Sequence, residues 1–133
     1  MNVAPMIVKG RVVAGTGNGK KFTSFSWFKK QVKEILNFEP YPGTLNLSIS
    51  EETSNFLEKI FGKNNGYMIV PEKGYFPALL YRALINFRVK GAVIKPCVPT
   101  YPKNILELVA PVYLRDFFNL KDGDEVYVKI YFE

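Results

Sequence analysis

Short apolar runs separated by glycine, proline or asparagine fill the second half of the chain and constrain its fold most strongly. The runs are rich in β-branched and aromatic residues, and each is shorter than a typical amphipathic helix. The predicted strands of this half are residues 67–70, 78–87, 92–95, 105–109 and 125–132. Strands with this punctuation are expected to pair into a sheet that closes on itself.

The first half mixes strands and helices. Residues 6–14 and 45–49 are predicted strands, and residues 25–38 and 51–61 are predicted helices. The apolar residues of the first of these helices fall at helical spacing, with lysines on its other side; they are Phe28, Val32, Ile35 and Leu36. Residues 111–118 are expected to form one or two helical turns that begin at Pro111, and residues 120–124 a tight turn. The pattern predicts a mainly β fold with short helices, built on about six strands as a small barrel.

Composition excludes several kinds of site. The 133 residues, expected to form one domain over 1–133, contain no histidine and one cysteine, Cys97. Ser-His and Cys-His nucleophiles, the usual zinc catalysis and an internal disulfide are therefore excluded. The chain shows neither a signal peptide at its start nor an apolar run of the roughly 20 residues that a membrane helix needs. A cytoplasmic, monomeric protein is expected.

The positive charge is concentrated in the first third. Residues 1–36 contain seven lysines and arginines and a single acid, Glu34. This distribution favours an anionic ligand, either a nucleotide or a nucleic acid. A solvated basic face is the alternative.

Alternating glycines follow the first predicted strand in Gly15-Thr16-Gly17-Asn18-Gly19, with Lys20 and Lys21 directly behind them. Glycine allows successive backbone N–H groups to face one concavity that cradles phosphate, and lysine adds charge. The spacing matches neither the P-loop nor the dinucleotide-binding fingerprint. The segment is therefore either a phosphate-binding loop or an ordinary hairpin turn.

A rigid turn, Pro40-Tyr41-Pro42-Gly43, leads into a strand that begins with Thr44 and Asn46. Side chains two residues apart on a strand point to the same face, so a hydroxyl and an amide lie side by side. Two neutral oxygens bind a bare Mg²⁺ ion poorly, but they suit one that arrives with phosphates. An ordinary turn and strand is the alternative.

Together with residues 107–115 and the turn at 120–124, these motifs resemble the archaeal CTP-dependent riboflavin kinases. The resemblance covers residues 6–49 and 90–128. It implies a six-stranded cradle-loop (RIFT-like) barrel that transfers the γ-phosphate of CTP to the 5′-hydroxyl of riboflavin. The implied products are FMN and CDP, the implied cofactor is Mg²⁺, and neither a membrane nor a specific nucleic acid is an expected partner.

The resemblance also assigns roles to residues. The implied nucleotide-binding residues are Gly15, Thr16, Gly17, Asn18, Gly19, Lys20, Val112, Tyr113, Leu114 and Arg115. Thr44 and Asn46 are the implied Mg²⁺ ligands, and Thr100 and Glu107 would face the flavin. Tyr101-Pro102 stands where the family leads us to expect a histidine.

Glu107 is the candidate catalytic residue, because it interrupts an apolar run and could orient or deprotonate the riboflavin hydroxyl. A strand carboxylate that faces water is the alternative. Tyr101, Tyr113 and Phe28 are candidates for stacking on a flavin.

Two competing functions fit the same sequence. The basic first third would also suit a nucleic-acid-binding barrel such as an AbrB-like transcription regulator, whose binding would depend steeply on salt. A flavin- or nucleotide-binding module without catalysis would bind CDP or FMN and make no FMN.

Overall fold

A computed structural model describes residues 3–15, 18–63 and 65–133, and for Asn18 it describes the backbone alone. The strands are β1 (Val3–Val13), β2 (Leu45–Ser48), β3 (Tyr67–Ile69), β4 (Ala78–Ile85), β5 (Val89–Pro96), β6 (Ile105–Val109) and β7 (Glu125–Phe132). The helices are α1 (Asn18–Thr23), α2 (Ser26–Leu36), α3 (Glu51–Glu58) and α4 (Leu114–Phe117). None of the described helices is long and apolar enough to cross a membrane.

Six antiparallel strands close into a barrel. Their order is β4-β5-β6-β2-β1-β7, and β7 pairs with β4 to complete the ring. Strand β3 pairs with the first residues of β4, and β7 pairs with the last residues on that strand. The predicted mainly β, six-stranded barrel is therefore confirmed.

Alternating side chains fill the barrel interior. On β7, the residues Val126, Val128, Ile130 and Phe132 are buried, and the residues between them face outward. Matching positions on β1, β2 and β6 place Val8, Val12, Leu45, Leu47, Leu106 and Leu108 in the same core. This period of two is the pattern expected of strands with one face in a core.

Helix α2 covers the outer face of the barrel. Its residues Phe28, Val32 and Leu36 pack against Ile69, Leu80 and Ile94 on β3, β4 and β5. Strand β5 is consequently buried on both faces from Gly91 to Ile94. Gln31 of α2 also pairs its side-chain amide with the backbone N–H and C=O of Val70, at 2.7 and 2.9 Å, just beyond the end of β3.

Several predicted boundaries are wrong for local reasons. The predicted strand 78–87 ends at Ile85, because Asn86 and Phe87 adopt positive φ angles of 48° and 58° in the tight β4–β5 hairpin. Helix α4 begins at Leu114, so Pro111 lies before the helix and not in its first turn. The predicted loop 15–21 turns helical from Asn18 onward. Asn64, in the predicted 64–66 turn, lies outside the described residues.

Val128 offers a test of the barrel interior, since it is fully buried opposite Val8 on β1 and Ile85 on β4. Val128→Ala is expected to lower the free energy of unfolding by about 2 kcal/mol, because buried methyl groups are lost and a void remains. Val70 is 64% exposed, so Val70→Ala is expected to change the free energy of unfolding by less than about 0.5 kcal/mol. Urea denaturation followed by circular dichroism measures both, and equal effects would contradict this packing.

Candidate active site

A cavity of about 770 Å³ opens at the barrel end where β1 and β5 finish and β2 and β4 begin. Its size is typical of small-molecule sites. The segment that leads into α1, the start of β2, the middle of β6 and the loop before β4 form its walls. Segments that are far apart in sequence therefore line the same cavity.

A chain of hydrogen-bonded polar side chains lies in this cavity. The Thr44 hydroxyl donates to Glu107 Oε1 at 2.9 Å, and Asn46 Nδ2 donates to Thr44 Oγ1 at 3.4 Å. The Tyr101 hydroxyl donates to Glu107 Oε2 at 2.5 Å. Each oxygen of the Glu107 carboxylate thus accepts a hydrogen bond from a hydroxyl group, and this fixes the carboxylate between Thr44 and Tyr101.

The strand register explains why these residues meet. Asn46 on β2 lies directly opposite Glu107 on β6, and Leu45 and Leu47 alternate with it into the barrel core. Thr44 precedes the strand by one residue and points to the same side as Asn46, as the alternation predicts. The spacing seen in the sequence therefore becomes a polar group that lines the cavity.

Burial controls the protonation of Tyr101. Removal from water, followed by the hydrogen bond and the negative charge of Glu107, raises the pKa of the Tyr101 hydroxyl well above its usual value. The phenol therefore stays protonated at neutral pH and acts as a donor to Glu107.

Two glycines allow the preceding segment to touch this polar group. A Cβ atom on Gly19 would lie 2.3 Å from Thr44 Oγ1 and 3.2 Å from Glu107 Oε1. A Cβ atom on Gly15 would lie 2.5 Å from Asn46 Nδ2. Any larger residue at either position would push the segment and the polar side chains apart, so close approach explains both glycines.

The structure brings most of the predicted nucleotide-binding residues together. Gly15, Gly19, Lys20 and Arg115 line the cavity with Thr44, Asn46 and Glu107. Thr16 and Gly17 lie outside the described residues, as does the side chain of Asn18. Val112, Tyr113 and Leu114 line a smaller cavity of about 50 Å³, which shares Gly43, Thr44 and Arg115 with the large one.

Positive charge exceeds negative charge around the large cavity. Among its described lining residues, Lys20, Lys21 and Arg115 are cationic and Glu107 alone is acidic. Arg115 is held by Asp122 Oδ1 at 2.8 Å and lies 3.5 Å from the Val13 carbonyl oxygen. Such a balance suits a ligand that carries several negative charges.

An aromatic wall that the sequence did not predict lines another part of the cavity. Phe25 follows α1, and Tyr75 and Phe76 lie in the loop before β4. The Phe25 and Tyr75 rings meet edge to face with centroids 4.9 Å apart. Phe76 is 55% exposed, so apolar surface is available to a planar ligand. Only the density of aromatic residues in both segments hinted at this wall.

Some of the residues predicted to contact a flavin line the large cavity, and others do not. Tyr101 and Glu107 line the cavity, whereas Thr100 is exposed and is not among the described lining residues. Phe28 is completely buried between α2 and the barrel, so its predicted stacking on a flavin is wrong. Tyr113 is exposed beside the small cavity and stacks on Tyr41 with ring centroids 5.0 Å apart.

The donor set fits a cation that shares its ligands with phosphate. Within the described ranges, no three His, Cys, Asp or Glu side chains form a metal-binding group. The cavity instead offers the hydroxyl oxygen of Thr44, the amide of Asn46 and one carboxylate, Glu107. Mg²⁺ commonly binds through one or two protein oxygens together with substrate phosphates and water.

Comparison with known proteins identifies the family. Residues 12–130 match the family model CTP-dep_RFKase, described as "Domain of unknown function DUF120". A riboflavin kinase of Saccharolobus solfataricus is 37% identical over 129 residues, which cover 93% of this chain and 73% of that protein. One of Sulfurisphaera tokodaii is 36% identical, covering 93% and 94%.

A riboflavin kinase of Archaeoglobus fulgidus is 37% identical over 127 residues, and the match spans 54% of that protein. Similarity of this extent, together with the family match, covers nearly the whole chain. The chain therefore belongs to the CTP-dependent riboflavin kinase family, a family of phosphotransferase enzymes.

Proposed function

We propose that this protein, as a single domain over residues 1–133, transfers the γ-phosphate of CTP to the 5′-hydroxyl of riboflavin, giving CDP and FMN. One observation carries the proposal. The polar group of Thr44, Asn46 and Glu107 lines the same cavity as a glycine- and lysine-containing segment and an aromatic wall. A triphosphate and a flavin need these two kinds of surface with reactive groups between them.

The phosphates bind along the segment from Gly15 to Lys20. The close approach of Gly15 to Asn46 and of Gly19 to Thr44 brings phosphates bound to this segment next to the polar group, and the lysine ammonium groups neutralise their charge. Arg115 adds a further positive charge on the side shared with the small cavity. There the nucleoside lies beside Val112, Tyr113 and Leu114, where main-chain groups would distinguish cytosine.

Thr44 and Asn46 hold the Mg²⁺ ion that accompanies the nucleotide. The Thr44 hydroxyl donates a hydrogen bond to Glu107, and its oxygen keeps a lone pair for a cation beside the one that accepts from Asn46 Nδ2. Asn46 directs Nδ2 at Thr44, and a half-turn of its amide presents the oxygen instead. A bound Mg²⁺ ion supplies charge neutralisation to the transferring phosphoryl group.

Glu107 acts on the acceptor. The riboflavin 5′-hydroxyl replaces one of the hydroxyl donors now bonded to Glu107, and the carboxylate orients its oxygen toward the γ-phosphorus. As the new O–P bond forms and the bond to the CDP oxygen breaks, the hydroxyl proton passes to Glu107 and then to water. No histidine is required.

The isoalloxazine ring lies against Phe25, Tyr75 and Phe76. Burial of a flat, largely apolar ring on these side chains supplies affinity, and the polar group in the same cavity fixes its direction. Tyr101 and not Thr100 would contact the flavin side, because Tyr101 lines the cavity. A nucleic-acid-binding role gains no support from these features, since a cavity and not an open basic face collects the site residues.

One assay tests both the phosphate donor, CTP, and the phosphate acceptor, riboflavin. Purified protein is incubated with riboflavin, Mg²⁺ and each of the four nucleoside triphosphates in turn, and FMN and the nucleoside diphosphate are separated by chromatography. We expect FMN with CTP and much less with ATP, GTP or UTP. FMN formation from all four at equal rates would refute the choice of CTP. No FMN together with measurable CDP binding would favour a non-catalytic module.

The metal ligands are tested with a double variant. Thr44→Ala/Asn46→Ala is expected to lower kcat/KM by at least about 100-fold, since charge neutralisation of the phosphoryl group is worth several kcal/mol. Ser48→Ala is the matched control, because Ser48 lies on the same strand and outside the cavity lining described here. Full activity of the folded double variant would show that these side chains do not bind the metal.

The role of Glu107 predicts an effect on turnover. Glu107→Gln is expected to lower kcat roughly 100- to 10,000-fold, the usual range for a lost proton acceptor, with little change in the CDP dissociation constant. Glu125→Gln removes an exposed carboxylate that pairs with Lys9 on β1 and serves as the control. If Glu107→Gln turned over at the control rate, Glu107 would have no part in the reaction.

A further inference from the structure

Thr23, the last residue of α1, is a polar side chain with no exposed surface. Among the described residues, the buried polar side chains are Thr23 and Ser54. The Thr23 hydroxyl donates to the Gly19 carbonyl oxygen at 2.7 Å and lies 3.2 Å from that of Lys20. The same oxygen accepts the backbone N–H of Gly43 at 2.7 Å.

These bonds join two parts of the active site that are 20 residues apart in sequence. Gly19 and Lys20 belong to the segment that the proposed function assigns to phosphate. Gly43 has a φ of 123° and immediately precedes Thr44, the proposed metal ligand. A second contact lies nearby, since a Cβ atom on Gly19 would lie 2.3 Å from Thr44 Oγ1. The phosphate segment and the turn before Thr44 therefore touch at two points.

A local helical role does not account for all of these bonds. Threonine in a helix often donates to the carbonyl three or four residues earlier, and that bond alone would stay within α1. Thr23 differs because its oxygen also accepts a hydrogen bond from the backbone N–H of Gly43. Gly43 lies in the turn before β2, so its N–H is not part of the ladder of that strand. Only a hydroxyl can donate and accept in this way in so small a volume.

We propose that Thr23 is a positioning residue that couples the phosphate segment to the metal-binding turn, so that nucleotide and Mg²⁺ strengthen each other's binding. The inference rests on the proposed nucleotide and metal sites. An ordered phosphate segment holds Gly43 through Thr23, and Gly43 in turn holds Thr44 in position for the cation. Because coupling between two ligands is reciprocal, a bound cation also holds Gly19 and Lys20 in position for phosphate.

Calorimetry tests this coupling without turnover. CDP is titrated into the protein in EDTA and again in saturating Mg²⁺. The ratio of the two dissociation constants measures how much Mg²⁺ strengthens CDP binding, which we call the enhancement. Formation of Mg–CDP in solution contributes equally for every variant, so it cancels when variants are compared. Thr23→Val keeps the shape and removes the hydroxyl, and it is expected to reduce the enhancement roughly 3- to 10-fold, as for the loss of about one hydrogen bond. Thr23→Ser keeps the hydroxyl and is expected to retain the enhancement.

Tyr81→Phe controls for general destabilisation. The buried Tyr81 hydroxyl accepts from Gly62 N at 2.9 Å and donates to Asn65 Oδ1 at 2.8 Å, outside the described cavity lining. This variant is expected to lower the melting temperature and leave the enhancement unchanged. If Thr23→Val does not fold, Thr23→Cys, with its weaker donor and acceptor, replaces it.

The outcomes separate the inference from the proposed function. If the wild-type protein binds CDP more tightly with Mg²⁺ and Thr23→Val shows the same enhancement, Thr23 has no coupling role. If the wild-type protein binds no CDP under either condition, the proposed function itself fails. A reduced enhancement in Thr23→Val, restored by serine and absent from Tyr81→Phe, supports the inference.

Discussion

The antiparallel pairing of β2 with β6 is the constraint on which the active site depends. It sets Asn46 opposite Glu107 and leaves Thr44 within hydrogen-bond distance of the same carboxylate. A shift of one residue in this register would turn Leu45 and Leu47 toward the cavity and bury the polar side chains in the barrel core. The hydrophobic core and the candidate active site therefore require the same β2–β6 register, and a shift in that register would disrupt both.

Helix α2 fixes the part of the cavity wall that contains Phe25. Its apolar side is anchored on the outside of the barrel through Phe28, Val32 and Leu36, and this fixes the position of Phe25 and of α1 just before it. The glycine segment is thus held between two rigid elements, β1 and α2. Gly15 and Gly19 let it lie against Asn46 and Thr44 without side chains between them. The proposed phosphate site thus lies in a short connection, and loops positioned by rigid elements commonly carry function.

Much of the fold could be read from the sequence, because alternation and helical spacing are local signals. The strands at 105–109 and 125–132 and the helix that contains Phe28, Val32 and Leu36 follow directly from those periods. The misassigned positions have local causes that periodicity does not report. Asn86 and Phe87 continue an apolar run yet form a turn at positive φ, and Asn18 to Thr23 form a helix in a segment dominated by glycine and lysine. Tertiary contacts, such as the hydrogen bond from the Gly43 N–H to Thr23, hold that short helix in place.

The sequence by itself determined the barrel class, the same-side placement of Thr44 and Asn46, and the absence of histidine chemistry, since each depends on residue type and on a period of two. Only the tertiary structure decided that Glu107 lies between Thr44 and Tyr101, that Phe25, Tyr75 and Phe76 form one wall, and that Thr23 joins two distant segments. Several of these relations link residues far apart in sequence, such as Thr23 with Gly43, 20 positions apart, and Thr44 with Glu107, 63 positions apart. They arise from barrel closure and helix packing, which no local pattern encodes.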